Sequence, residues 1–206
     1  MTEINPTVFV VDDDEPVRDS IGLLLDTVDI PHIAFESAQE FLDQYDSQTN
    51  GCLVLDIRMP GMSGLELQDH LQEHKNPIPI IFITGHGDIP MAVEAMKKGA
   101  VDFIRKPFRD QELLDRIQDA LNQEAEIREH YADLEAVRAR AADLTPREQE
   151  VFHRVADGQA NKVVAIELEI SERTVEIHRS QVMQKMKARN LAALVKMKIL
   201  LDQNRG

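Results

Sequence analysis

The sequence predicts an α/β protein, a parallel sheet covered by helices on both faces, followed by a small all-helical domain. Three observations carry this expectation. Short apolar segments alternate with amphipathic ones through about residue 121, which is the pattern of successive βα units. The strand signal then stops near Leu113, and residues 110–143 contain neither Gly nor Pro. Finally, "LTPREQEVF" restarts the chain with a new helix-initiation signature.

The expected strands are Val8–Val11, Ile33–Phe35, Leu53–Leu55, Ile80–Ile83 and Val101–Ile104. "CLVL" and "IIFI" are continuous apolar runs, as expected where a strand is buried on both faces. The first helix should start at Asp14 or Glu15, with Pro16 in its opening turn and Asp14 in a capping role. Ser37 should cap "AQEFLDQY", and "GLELQDHLQ" should form the third helix. Asp88 should cap "IPMAVEAMKK", which Gly99 ends.

A long helix should follow. Leu113, Ile117, Leu121, Ile127, Tyr131, Leu134 and Val137 mark its seam, with Glu124 filling one step. So thin a stripe suits either a solvated spacer or a two-chain coiled coil. Thr145 then reads as an N-cap with Pro146 at the first helical position and Glu148 three residues beyond the cap. Breaks at 157–161, 169–171 and near 188–190 divide the rest into short helices of a helix-turn-helix kind.

Bulk composition narrows the function classes. The net charge of −14 argues at first against a nucleic-acid partner. It is unevenly spread: residues 1–123 hold 9 basic against 23 acidic side chains, whereas residues 144–206 hold 11 against 8. Only the C-terminal third is mildly basic, so the whole-chain charge hides a division of labour and does not exclude a nucleic-acid partner there. No export signal is legible at the N-terminus, and no apolar run approaches the ~20 residues of a membrane span. Cys52, the single cysteine, cannot form an intramolecular disulfide and lies in an apolar run, so it is expected in the core. A cytoplasmic location with no membrane partner is the expectation.

Ligands of parallel sheets bind beyond the carboxyl ends of the strands. The residues there are Asp12 and Asp13, Asp56, Thr84, and Lys106 with Pro107. Each alone has a plain structural explanation as a cap, turn or surface charge. Together, after four different strands, they predict one pocket of three carboxylates, a hydroxyl and an ammonium. Crowded carboxylates raise one another's pKa unless a cation intervenes, and oxygen-only ligands suit Mg²⁺. A carboxylate so placed is also a nucleophile toward phosphorus.

At these residues the chain resembles a two-component receiver domain with a flavodoxin-like (βα)5 fold. The resemblance rests on "VVDDDEP", "LDIRMPGMSG" and "FITGHGDIPMAVEAMKKGAVDFIRKPF". The C-terminal part, "LTPREQEVF" through "NKVVA" and "SERTVEIHRSQVMQKM", resembles the LuxR-type helix-turn-helix of the NarL/FixJ class, and the receiver stretch points to the FixJ branch. The division implied is a receiver at 1–122, a helical linker at 123–143 and a DNA-binding domain at 144–206.

The resemblance implies specific roles. Asp56 accepts a phosphoryl group from a partner histidine kinase, while Asp12, Asp13, Asp56 and the Arg58 main-chain carbonyl serve Mg²⁺. Thr84 and Lys106 contact the phosphoryl group, and the Lys106–Pro107 bond is cis. Thr84 and Phe103 form the switch, with Gly85 and Gly87 permitting the loop between them to move. A remodelled face bearing Met91, Glu94, Ala95, Lys98 and Arg105 then dimerises. The protein is expected to act as a phosphoacceptor and not as an enzyme.

The dimer would bind promoter DNA and regulate transcription, more commonly by activation, with RNA polymerase a further partner. In the recognition helix, Val175, Val182 and Met186 should pack inward. Glu176, Ile177 and Ser180 then face bases, and Asn161, Lys162, Arg173, Thr174 and Arg179 serve phosphates. Glu176 could accept from cytosine N4 or lower non-specific affinity. His178 is expected to be packed or to face phosphate. The strongest rival is a haloacid-dehalogenase-like phosphatase, since Asp12 and Asp14 share its Asp-x-Asp spacing. That family has no use for Asp56 or the C-terminal helices, and Pro16 stands where it expects Thr or Val.

Overall fold

The computed structural model describes residues 6–46, 49–74, 78–85 and 89–203. The chain forms two compact units, residues 1–128 and 129–206. In the first, strands and helices alternate: β1 (Thr7–Val11), α1 (Glu15–Asp26), β2 (His32–Phe35), α2 (Ala38–Gln44), β3 (Gly51–Asp56), α3 (Gly64–Glu73), β4 (Ile80–Thr84), α4 (Ile89–Lys97) and β5 (Asp102–Arg105). The five strands pair in parallel in the order β2-β1-β3-β4-β5.

That order explains the two cores. Parallel strands need right-handed crossovers, so reversing the direction of travel across the sheet after β2 switches the covering face. Alternate residues of the same strands accordingly enter different clusters. Phe9, Val11, Leu53, Leu55 and Phe82 pack against Phe41 of α2, Leu67 of α3 and Ala95 of α4. Val8, Val10, Cys52, Val54, Ile81 and Ile83 pack against Ile21 and Leu25 of α1 and Leu113 and Ile117 of α5 (Asp110–Ala142). The doubly covered strands expected from "CLVL" and "IIFI" are therefore present, and burial pushes the Cys52 thiol up to about 12.

The expected elements are found with boundary shifts of a few residues at most, and two local expectations are corrected. Asp14 does stand at the N-cap of α1, but its side chain makes no capping hydrogen bond. The carboxylate used locally belongs to Asp12, whose Oδ1 accepts from the Asp14 N–H at 3.0 Å. Ala95 is buried in the α4 core contact, so it cannot belong to an exposed dimerisation face. The expected Asp88 cap and the Gly87 hinge lie outside the described residues.

The second unit holds the end of α5 and four further helices: α6 (Pro146–Ala156), α7 (Asn161–Glu167), α8 (Glu172–Lys185) and α9 (Leu191–Gln203). Its core joins Val151 and Phe152 of α6, Val164 of α7, Val175 and Val182 of α8, and Leu194 of α9. Helix α8 ends at Lys185, one residue before the end of the stretch quoted from the sequence, and Lys187 adopts a left-handed φ of 54°. Along α5, Leu113, Ile117, Leu121, Leu134 and Val137 are buried, while Tyr131 is half exposed. Among the described residues no helix is long and apolar enough to cross a membrane.

Candidate phosphoacceptor pocket and DNA-reading helix

The strand order reverses between β1 and β3, and the acids lie there, at the carboxyl ends of both strands. Among the described residues the buried polar or charged side chains are Asp12, Asp56, Gln68, Thr84 and Glu148. Three of these belong to the predicted pocket, which separates it from ordinary surface polarity. Lys106 ties it together. Its Nζ donates to Asp12 Oδ2 at 2.6 Å and to Asp56 Oδ1 at 2.8 Å. Asp56 Oδ2 accepts from the Arg58 N–H at 2.6 Å.

The electrostatics follow from one ammonium shared by two carboxylates. Burial raises the Asp56 pKa, and the bonds from Lys106 offset that only in part; the charge of Asp12 adds to the rise. Burial depresses the Lys106 pKa, but bonds to Asp12 and Asp56 outweigh it, so the ammonium is held above its ordinary 10.5. The lysine is thus compensated twice and each carboxylate by half.

The Lys106–Pro107 bond is cis. Thr84 is buried at the end of β4, and its carbonyl accepts from the Lys106 N–H at 2.7 Å. Phe103 pairs in register with Phe82 and is partly buried against the Phe9–Phe82 core cluster.

Helix α3 approaches the acceptor strand closely. A Cβ added at Gly64 would stand 2.3 Å from the Asp56 carbonyl oxygen, so only glycine fits there. Ser63 and Glu66 cap this helix reciprocally. Asp13 is exposed, beside the buried Asp12. Among the described residues no three His, Cys, Asp or Glu side chains are gathered into a metal-holding group. The donor chemistry nevertheless fits a hard divalent cation: carboxylate oxygens at adjacent strand ends carry more negative charge than one lysine neutralises.

In the second unit, Ser171 caps α8 by accepting from the Thr174 N–H at 3.1 Å. Val175, Val182 and Met186 are fully buried, as expected. Glu176, Ile177 and Ser180 are exposed, and so are Arg173 and Lys162. Arg179 and Asn161 are brought together, Nη1 donating to Oδ1 at 3.0 Å. The Thr174 hydroxyl is engaged with Ser171 Oγ at 2.7 Å. His178 is half-buried, and its Nδ1 is buried without a hydrogen bond.

Sequence reasoning missed several supporting contacts. Glu148 is buried beside Lys185 at 2.7 Å, joining the start of α6 to the end of α8. Gln68 and Gln72 of α3 donate to main-chain carbonyls at the end of α4. Arg18 donates from Nη1 to the Asp12 carbonyl at 2.7 Å. None follows from a motif. For Arg18 the only available signal was a cation six positions after Asp12, in the helix expected next.

A (βα)5 sheet with this pocket, joined in one chain to a helix-turn-helix, defines the response-regulator class of transcriptional regulators. Comparisons with known proteins agree. The model "Response regulator receiver domain" matches residues 8–118, and "Bacterial regulatory proteins, luxR family" matches residues 142–198. Transcriptional regulatory protein FixJ of Bradyrhizobium diazoefficiens is 44% identical, over 92% of this chain and 93% of that one. Nodulation protein W of the same organism is 50% identical, over 92% of this chain and 84% of its own length. Among solved structures, response regulator StyR aligns with a TM-score of 0.82 at 47% identity, over 95% of this chain and 98% of that one. The chain belongs to the response regulators that join a receiver domain to a LuxR-type helix-turn-helix, in their FixJ branch. Members of this family serve as phosphoacceptors, not as classical enzymes.

Proposed function

We propose that Asp56 accepts a phosphoryl group from a partner histidine kinase, and that this controls binding of promoter DNA by residues 144–206, with residues 123–143 as linker. The observation that carries this reading is Lys106 Nζ, bonded at once to Asp12 and Asp56 beyond the ends of β1 and β3. An oxygen of Asp56 attacks phosphorus, the P–N bond to the kinase imidazole breaks as the P–O bond forms, and the imidazole leaves with its nitrogen lone pair. Lys106 then pairs with the phosphoryl oxygens, and the Thr84 hydroxyl donates to one of them. Asp12, Asp13, Asp56 and the Arg58 carbonyl would hold Mg²⁺, which when bound disperses negative charge on the transferring group.

The new group adds about −1.5 to −2 charges beside Asp12. Movement of Thr84 toward it and of Phe103 into the space behind remodels the neighbouring face, where the exposed Glu94 and Arg105 and the partly buried Met91 and Lys98 are the candidates for receiver dimerisation. Two mildly basic DNA-binding domains then meet a near-palindromic site together, and the protein works in the cytoplasm, as an activator acting with RNA polymerase. Incubation with acetyl phosphate and Mg²⁺ tests the first step. One equivalent of acid-labile phosphate is expected, absent in Asp56→Asn, with dimerisation and tighter DNA binding only in the labelled protein. Multiple turnover of a phosphate ester, lost in Asp12→Asn, would replace this reading with that of a phosphatase.

A further inference from the structure

The loop between β1 and α1 is fixed at several points although it carries an exposed acid. The Asp12 N–H donates to the Phe35 carbonyl at 3.3 Å, tying the loop to the neighbouring strand. The Asp14 N–H turns back to Asp12 Oδ1 at 3.0 Å. Arg18 then holds the loop from α1 with its side chain, beside the ordinary main-chain bond of the helix's first turn. Its main-chain N–H donates to the Asp14 carbonyl at 3.1 Å, and its Nη1 donates to the Asp12 carbonyl at 2.7 Å. These two carbonyls belong to the residues on either side of Asp13.

We propose that Arg18 is a positioning residue for the acid pair, clamping the main chain around Asp13 so that its carboxylate is presented to a divalent cation beside Asp12 and Asp56. The inference rests on the phosphoacceptor reading given above. A residue that orients a metal ligand through its backbone acts as outer-shell support does elsewhere, by removing the freedom the ligand would lose on binding. The guanidinium also has an opposite influence, since a positive charge held against the Asp12 main chain repels a divalent cation bound nearby. The two roles therefore predict opposite signs when the side chain is removed, and the clamp is the larger because its contact is short and partly buried.

The test uses the full chain and Mg²⁺ alone, by calorimetric titration, with amide exchange followed by NMR. Arg18→Ala is expected to weaken Mg²⁺ binding about tenfold and to speed exchange of the Asp14 N–H. Arg18→Lys, which keeps a donor and a charge, is expected to fall between the two. Helix α1 is anchored by Ile21 and Leu25, so the melting transition should move little. Unchanged or tighter Mg²⁺ binding in Arg18→Ala would overturn the clamp and leave a charge effect alone. If the unsubstituted protein took up no Mg²⁺, the phosphoacceptor reading would fail first. The clamp would then be decided by exchange, and equal Asp14 rates in the two proteins would refute it.

Discussion

The two units place their candidate functional groups on opposite sides of the burial boundary. In the first, Asp12, Asp56 and Thr84 lie inside, at the ends of strands whose side chains are buried on both faces. In the second, Glu176, Ile177 and Ser180 stand outside, on a helix whose other face holds Val175, Val182 and Met186. Covalent chemistry benefits from withdrawal from water, where a carboxylate short of counter-charge and a charged lysine interact strongly. Reading a groove needs the reverse, since a side chain that contacts base edges must leave its own core. One requirement, a rigid scaffold, serves both: a sheet fixes charges internally, and a packed helix fixes an exposed row.

The sharpest way to break this comparison is to orphan the buried charges. Lys106→Met should lower the stability of the first unit by about 2–3 kcal/mol, just below the range for removing one partner of a fully buried pair because Lys106 keeps some exposure. Urea unfolding should show the loss, and it should depend on pH. Losing the lysine raises the Asp56 pKa further, so the deficit is full above the variant's raised value and shrinks as the pH falls through it, where protonation removes the uncompensated charge. A deficit independent of pH would mean that Lys106 acts by packing alone.

A smaller effect is expected in the second unit, where Glu148 is its one buried charge among the described residues. The bond from Lys185, then that from the Thr145 N–H, holds its carboxyl below the ordinary value of 4.5. A depressed pKa contributes stability above the unfolded value, lost as the pH falls through the folded one. Glu148→Gln should therefore cost about 1–2 kcal/mol at neutral pH and little in acid, read as a shift in the thermal midpoint. Equal losses at both would show that the carboxylate charge does no more than the amide can.

The smallest change should come from the exposed row. Glu176→Ala removes an anion from the proposed DNA-facing surface and should raise affinity for all duplexes alike, by a few-fold at low salt. Measured over single-base operator variants, lost discrimination at one position would instead assign Glu176 to a cytosine N4 contact.

Much of the molecule was legible because regular structure repeats its signals. Doubly buried strands read as continuous apolar runs, and the Thr145–Glu148 capping box was visible as a three-residue spacing before the helix was seen. The strand-end rule then led to Asp12, Asp56, Thr84 and Lys106. What was misread depended on directions that spacing does not carry. Asp14 has a capping residue type in the capping position, yet its side chain does not cap, because Pro16 has no N–H to give and the Val17 N–H donates to the Asp14 carbonyl at 3.0 Å instead. Ala95 was placed on the dimerising face by the resemblance, yet its side chain is buried in the cluster that joins α4 to the sheet.

The order of elements, the covering of the sheet on both faces and the residue types at the strand ends follow from local periodicity and the handedness of parallel crossovers. Which charges meet is fixed by packing between distant elements. Lys106 reaches Asp12 across 94 positions and Lys185 reaches Glu148 across 37. Such pairs are set by how packed elements bring distant side chains within 3 Å, and no local pattern encodes that distance.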